Sequence, residues 1–301
     1  MATKMNSPQD NAINTWPNLF LIGAPRSGST TLYEILSSHP KIFMSAVKEP
    51  NFFTTMQLPE RHRLVHQTTS SKKEYLRLFE SAKPEHQYRG EGTVRYLCDE
   101  EAIEKISKAS PNAKIIAILR DPVERAHSAY LVRERSGTNN KDFHQTIVEQ
   151  IEEIGKDKTS VNNFIQQGRY IQQLKTLFKY YDRNQVLVLS FDDLKNSPDD
   201  IIKQLSEFLE LTDEFSPDHA RKNTYKKPRN SLTKLILTNE KLFSGIAKLV
   251  PRDLLRRLRN GVLLQQSNKP PMSKESRDIL EEFYKDELEG FEGLLTKNGS
   301  L

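Results

Sequence analysis

Four apolar runs punctuate an otherwise polar chain. Leu19–Ile22, Ile115–Leu119 and Val186–Leu189 are short and continuous, and Ile42–Met44 is a briefer version. Runs of this length without polar alternation are the pattern of strands buried on both faces, as in a parallel sheet. Between them, apolar residues recur at helical spacing. Ser29–Ser38 predicts a short helix stopped by His39-Pro40, and residues 168–181 and 198–209 predict two more. Asp121-Pro122 opens a further helix, with Asp121 as cap, Pro122 in the first turn and Glu124 three residues after the cap. Strands alternating with helices predict an α/β protein: a three-layer, P-loop-like fold with a central parallel sheet flanked by helices. Residues 1–17 are polar and predict a flexible tail. Residues 18–301 predict a single domain, since motifs suited to one site run from residue 23 to about residue 229. After Ser216 the character changes to a mostly helical C-terminal part. Residues 221–230, RKNTYKKPRN, read as a basic loop, 231–262 as basic helices and 273–295 as one closing helix.

The first apolar run leads directly into chemistry. Residues 18–32 read NLFLIGAPRSGSTTL, a strand that ends at Gly23, a turn through Arg26-Ser27-Gly28, and a helix entered at Ser29-Thr30-Thr31. Such a turn directs unpaired backbone N–H groups and the positive end of the helix dipole at one point, which makes an anion site. The Gly23–Gly28 spacing is that of a nucleotide phosphate loop. Ser29 then stands where nucleotide triphosphatases carry Lys, so the loop suits phosphate without the usual γ-phosphate chemistry. Arg26 supplies charge inside the turn.

Two further segments follow strand ends. In KIIAILRDPVERAHSAY, residues 114–130, Arg120 leaves the C-terminal end of a strand, where ligands of parallel sheets bind. Ser128 lies about two turns into the next helix, so the pair suits a second phosphate, by guanidinium fork and hydroxyl. A structural ion pair for Arg120 is the alternative. Lys48-Glu49 follows Ile42–Met44 on the same sheet edge, and a carboxylate there suits removal of a proton from an acceptor hydroxyl, although most such pairs are solvated.

Composition narrows the class. The chain of 301 residues is 36% hydrophobic and 28% charged, enough apolar material for a core. A net charge of +5 favours anionic ligands but is too small to argue for nucleic acid. The single Cys98 allows no internal disulfide and fits a reducing, cytoplasmic compartment. No run approaches the roughly 20 apolar residues of a membrane span. The seven histidines show no ligand spacing, so no metal is expected. Arg252, Arg256, Arg257 and Arg259 leave peripheral contact with an anionic membrane or polymer open, with a solvated amphipathic helix as the expectation.

Together these segments resemble the sulfotransferases that use 3′-phosphoadenosine 5′-phosphosulfate. Gly-Ala-Pro-Arg26-Ser-Gly-Ser-Thr is similar to the family's 5′-phosphosulfate loop, and Leu-Arg120-Asp-Pro-Val-Glu-Arg125-Ala-His-Ser128-Ala-Tyr to its 3′-phosphate segment. Lys48-Glu49-Pro-Asn-Phe-Phe resembles the base-bearing segment of the carbohydrate (heparan-type) branch. Glu91-Gly-Thr93-Val-Arg-Tyr96 resembles that branch's Glu-Lys-Ser/Thr-Pro-x-Tyr block without its Pro. Carbohydrate-type members often carry Lys in place of Arg26, and the luminal branches carry a membrane anchor. The likeness is therefore to a free-standing, bacterial-type soluble relative.

The resemblance implies Glu49 as base, with Glu91 and His127 next in line, and Arg26 and Lys48 at the leaving group. Ser27, Gly28, Ser29, Thr30 and Thr31 would wrap the 5′-phosphate, and Arg120 with Ser128 would hold the 3′-phosphate. Lys227 and Arg229 would close over the nucleotide. The product would be adenosine 3′,5′-bisphosphate. The acceptor stays open among sugar, glycolipid, polyketide, phenol and peptide hydroxyls, as does the oligomeric state. A phosphate-loop kinase of small metabolites and a non-catalytic 3′-phosphoadenosine nucleotide-binding module are the rival readings.

Overall fold

The computed structural model describes residues 16–56, 68–136, 139, 141–156, 163–212, 215 and 225–295. Five parallel strands form the central sheet: β1 (Leu19–Gly23), β2 (Ile42–Met44), β3 (Tyr88–Gly92), β4 (Lys114–Leu119) and β5 (Val186–Ser190), in the order β2-β3-β1-β4-β5. The register sets Leu19 against Gly90 on one side and Lys114 on the other, and Ile115 against Val186. Every residue of β1 and β5 is buried, so continuous apolar runs form here because both faces are covered.

The helices that follow and separate the strands are α1 (Ser29–Ser38), α2 (Lys72–Arg77), α3 (Glu100–Ala109), α4 (Pro122–Arg135), α5 (Phe143–Gly155), α6 (Tyr170–Leu177), α7 (Phe191–Asn196) and α8 (Pro198–Leu209), of which α4 and α5 pack in a cluster apart from the sheet through Val123, Ala126 and Ile147. Alternate strand residues serve opposite layers. Phe20, Ile22, Ile115 and Ala117 pack with Ile103, Ile106 and Leu174. Leu19, Leu21, Ile116 and Ile118 pack with Leu32, Leu36, Ile201 and Leu205. The two sets are the two faces of a pleated strand, each with its own helical layer.

β3 has no apolar run. Its sequence, YRGEG, is not among the predicted strands, yet it lies inside the sheet between β2 and β1. Two physical facts permit this. A Cβ on Gly92 would come within 2.8 Å of Tyr33 Cδ2, so the strand is thin where α1 crosses it. Glu91, fully buried, is satisfied by three hydroxyls.

The C-terminal part departs from the expected loop and helices. Lys226–Pro228, expected as loop, is strand β6 and pairs antiparallel with β7 (Leu264–Gln266). The basic stretch divides into α9 (Ser231–Thr238), α10 (Glu240–Leu249) and α11 (Arg252–Leu258), followed by a π turn over Arg259–Leu263. Asn239 and Pro251 mark the breaks: Asn239 caps α10 from its side chain, and proline does not continue a helix. The closing helix is two helices, α12 (Lys274–Phe283) and α13 (Lys285–Leu295). Tyr284 ends α12, and its hydroxyl donates to the Ile165 carbonyl at 2.6 Å, which ties this corner to the segment before α6.

Candidate active site

The turn after β1 is built around Gly28. Its φ of 84° is left-handed, and a Cβ there would meet Phe191 Cδ2 at 2.9 Å and Leu194 Cδ2 at 3.0 Å. Only glycine fits without strain. Gly28 is also the cap position of α1, and no side chain caps that helix, so its first N–H groups remain available to an anion. Ser27 and Ser29 are buried in the turn, while Thr30 faces solvent.

Arg26, with φ of 70°, points from the turn across to α4, and its Nε donates to Ser128 Oγ at 3.3 Å. Its surface is open to solvent. The surrounding cleft partly desolvates it, and the charges of Arg135 and Arg120 act in the same direction, against the pull of Glu49. The guanidinium falls to about 10 and stays charged at neutral pH. Arg120 comes off the end of β4 and donates from Nη1 to the Arg26 carbonyl at 3.4 Å. Its guanidinium lies 4.7 Å from the Phe191 ring centre, and the Tyr170 hydroxyl bonds its carbonyl at 2.9 Å. Arg26, Arg120 and Ser128, separated by up to 102 residues, thus form one basic corner.

Lys48 and Glu49 enter from the end of β2. Lys48 Nζ lies 3.2 Å from Glu49 Oε1 and 3.5 Å from Ser29 Oγ, at the first residue of α1. Both side chains are about four-fifths covered, so this is a cleft pair rather than a solvated one. Glu49 is left-handed, with φ of 61°, and its N–H bonds the Gly92 carbonyl at 2.9 Å. The same segment is fixed through Asn51, whose N–H donates to Thr93 Oγ1 at 3.4 Å.

Behind Thr93 lies Glu91. It accepts from Tyr75 (2.8 Å), Thr93 (2.7 Å) and Tyr96 (3.2 Å). Burial pushes its carboxyl up to about 7, although the three hydroxyls pull the other way. His127 is buried on α4 against Phe143, at 4.9 Å between ring centres, and burial, with the charge of Lys269, lowers it to about 4.

Lys227 and Arg229 stand on β6 and just after it, next to Lys226, whose carbonyl accepts from Arg135 of α4. Lys227 is exposed on β6, and Arg229 just after it is held by its own N–H on the Leu263 carbonyl at 3.0 Å. Neither side chain makes a hydrogen bond or ion pair with another described residue. The cation that reaches the Arg120 corner is Lys269. Its Nζ sits 2.8 Å from Glu124 Oε2, while Arg277 lies 2.7 Å from Oε1 and Arg120 3.8 Å from Oε2. Burial alone would raise Glu124, but the bonds and charges of Lys269 and Arg277 hold it at about 2. Lys269 is the one charged residue of the polar, Pro-containing stretch QSNKPP, and no local motif marks it. Arg135 was also unanticipated. It bonds the Lys226 carbonyl at 3.1 Å and acts on Arg26 by charge. Among the described residues, no three His, Cys, Asp or Glu side chains are grouped to hold a metal.

A five-stranded parallel sheet with a glycine-bounded anion turn after β1 and a basic corner after β4 defines a P-loop-like α/β protein. The profile described as "Sulfotransferase family" matches residues 17–216, most of the chain, and the chain belongs to that family. It is 27% identical over 245 residues to human carbohydrate sulfotransferase 15, covering 65% of this chain and 44% of that protein. It is 29% identical over 207 residues to the Drosophila melanogaster bifunctional heparan sulfate N-deacetylase/N-sulfotransferase, covering 65% of this chain and 20% of that protein. The chain therefore spans less than half the length of these curated relatives. The solved sulfotransferase from Alicyclobacillus acidocaldarius is similar in fold, with a TM-score of 0.59 and 25% identity over 81% of this chain and 100% of that one.

Proposed function

We propose that the chain moves a sulfuryl group from 3′-phosphoadenosine 5′-phosphosulfate to a hydroxyl of a carbohydrate-type acceptor. The observation that carries this reading is the meeting of Arg26, Lys48, Glu49 and Ser29 at an uncapped helix N-terminus, beside a second anion corner at Arg120 and Ser128. Two anion subsites suit a donor with separate 5′ and 3′ phosphates. The names of the carbohydrate and heparan sulfate relatives support the acceptor class.

Each residue then has a task. The amides of Ser27 to Thr31 hold the 5′-phosphate at the positive end of α1. Arg120 and Ser128 hold the 3′-phosphate, with Lys269 adding charge from the Glu124 side. Lys227 and Arg229, exposed at β6, cover the nucleotide. The acceptor oxygen attacks sulfur as Glu49 takes its proton. The bond from sulfur to the bridging phosphate oxygen breaks, and its electron pair stays on that oxygen. Lys48, Arg26 and the loop N–H groups stabilise the charge that develops there.

Calorimetry tests the two-subsite assignment. Adenosine 3′,5′-bisphosphate is expected to bind more tightly than AMP by about 1.5–3 kcal/mol, the worth of a charge-assisted contact. Arg120→Ala is expected to erase that preference. Arg133→Ala, on α4 with its guanidinium 5.0 Å from the Phe164 ring centre, is expected to keep it. Equal affinities in the parent overturn the role of Arg120. Transfer from radiolabelled donor to a carbohydrate panel is expected to proceed in EDTA, and a strict need for magnesium favours the kinase reading.

A further inference from the structure

The exposed large hydrophobic side chains among the described residues are Leu232, Leu235, Leu242, Leu249, Leu254 and Val262, and all fall in 231–262. The same stretch holds seven Lys and Arg against only Glu240 and Asp253. Its surplus of five positive charges is the surplus of the whole chain, so the other residues balance to neutrality.

These leucines are not core residues left uncovered. The stretch has its own small core, in which Leu237, Phe243, Ala247 and Leu255 pack with Leu264 of β7. On α10 that inner side is Phe243 and Ala247. The outer side reads Lys241, Leu242, Gly245, Lys248 and Leu249, all exposed, with Leu249 at 86%. α9 repeats the device with exposed Leu232, Lys234 and Leu235, and α11 presents Leu254 and Arg257. A helix built only to be solvated carries polar residues on its outer face. Leucine and lysine interleaved on that face is the composition of a surface that enters the boundary of an anionic bilayer.

We propose that this face docks the protein on an anionic lipid bilayer. The positive charge selects acidic headgroups and the aliphatic side chains enter the boundary layer. A soluble anionic polymer satisfies the lysines but leaves the leucines in water, and a second copy of the chain meets like charge with like. Among the described residues no helix is long and apolar enough to cross a membrane, so the contact is peripheral. The face is rooted beside the cleft, because Arg135 ties β6 to α4 at Lys226 and acts on Arg26 by charge. Docking does not depend on the transfer chemistry proposed above.

The test is sedimentation of the full chain with vesicles. It is expected to pellet with mixed phosphatidylglycerol and phosphatidylcholine vesicles, to stay in solution with phosphatidylcholine alone, and to bind less as salt rises. Lys241→Glu with Lys248→Glu is expected to weaken binding by more than about fivefold per site, since neutralising one lysine near the surface is worth about that factor. Leu242→Ser with Leu249→Ser is expected to weaken it by about tenfold or more while thermal unfolding is unchanged, as both side chains are exposed. No binding to the acidic vesicles overturns the proposal. So does retention of parent binding by the double leucine variant, with heparin competing fully, which makes the face a polyanion site. A dimer of the parent that the leucine variant abolishes assigns the face to a second copy and overturns it as well.

Discussion

Glu49→Gln is expected to lower sulfate transfer by about 10²–10⁴ while leaving bisphosphate affinity near the parent value. The substitution keeps the size of the side chain and removes its basicity. In the structure the carboxylate stands 3.2 Å from Lys48 Nζ, and Lys48 in turn reaches Ser29 at the mouth of the anion turn. A base so placed is close to the positive groups that meet the leaving oxygen, so proton removal and bond cleavage are served from one point. A carboxylate makes no favourable contact with phosphate, which is why donor binding is expected to survive. Single-turnover rates with labelled donor, alongside calorimetry with the bisphosphate, separate the two effects. A variant that transfers at the parental rate makes Glu49 an ion-pair partner of Lys48 and nothing more. Neither reserve candidate is a simple replacement. Glu91 is sealed beneath three hydroxyls, and His127 is buried against the Phe143 ring.

Which parts of this site were legible follows from how local each signal is. Strands β1, β2, β4 and β5 announce themselves because both faces are buried and the residues are apolar. The anion turn is legible because Gly28 is required by a left-handed backbone and a close approach to Phe191. The Asp121 cap is a local bond to the Glu124 N–H at 2.8 Å, and it forms as the spacing predicts. β3 was hidden because its stability comes from neighbours: Tyr75, sixteen residues upstream of Glu91, supplies one hydroxyl, and Tyr33 occupies the space that Gly92 leaves. Lys269 was hidden for the same reason at longer range, since its partner Glu124 lies 145 residues away. Pattern along the chain reports what each residue is compatible with. It does not report that a lone lysine in the polar stretch 265–271 folds back on the Arg120 corner.

Glu91 is the second residue whose replacement has a large expected effect, and the effect depends on pH. Its carboxyl is fully buried, and burial sets its titration at about 7 against an ordinary 4.5, with the charge of Glu49 pushing in the same direction. The sign follows from proton counting. Below the ordinary value both folded and unfolded chains hold the proton, and no penalty exists. As pH rises from 4.5 toward 7 the unfolded chain releases its proton while the folded chain retains it, so unfolding becomes easier. The loss is about 3 kcal/mol at most, from about 1.4 kcal/mol per pH unit of displacement, and it is complete above 7. Glu91→Gln cannot titrate and is expected to lack this slope. Urea unfolding at pH 5 and at pH 8 is therefore expected to show the parent losing stability relative to the variant between the two, by up to that amount. Parallel pH dependence in parent and variant rules out the buried, late-titrating carboxyl. A change in Glu91 charge also reaches the transfer chemistry through bonded contacts, because Thr93 holds both the Glu91 carboxylate and the Asn51 N–H. Asn51 lies two residues past Glu49, whose own N–H is fixed on Gly92. Thr93→Val separates the two roles. It keeps the carboxyl buried and removes the hydroxyl that links it to the Glu49 segment. Turnover is expected to fall in that variant while the slope of stability with pH persists.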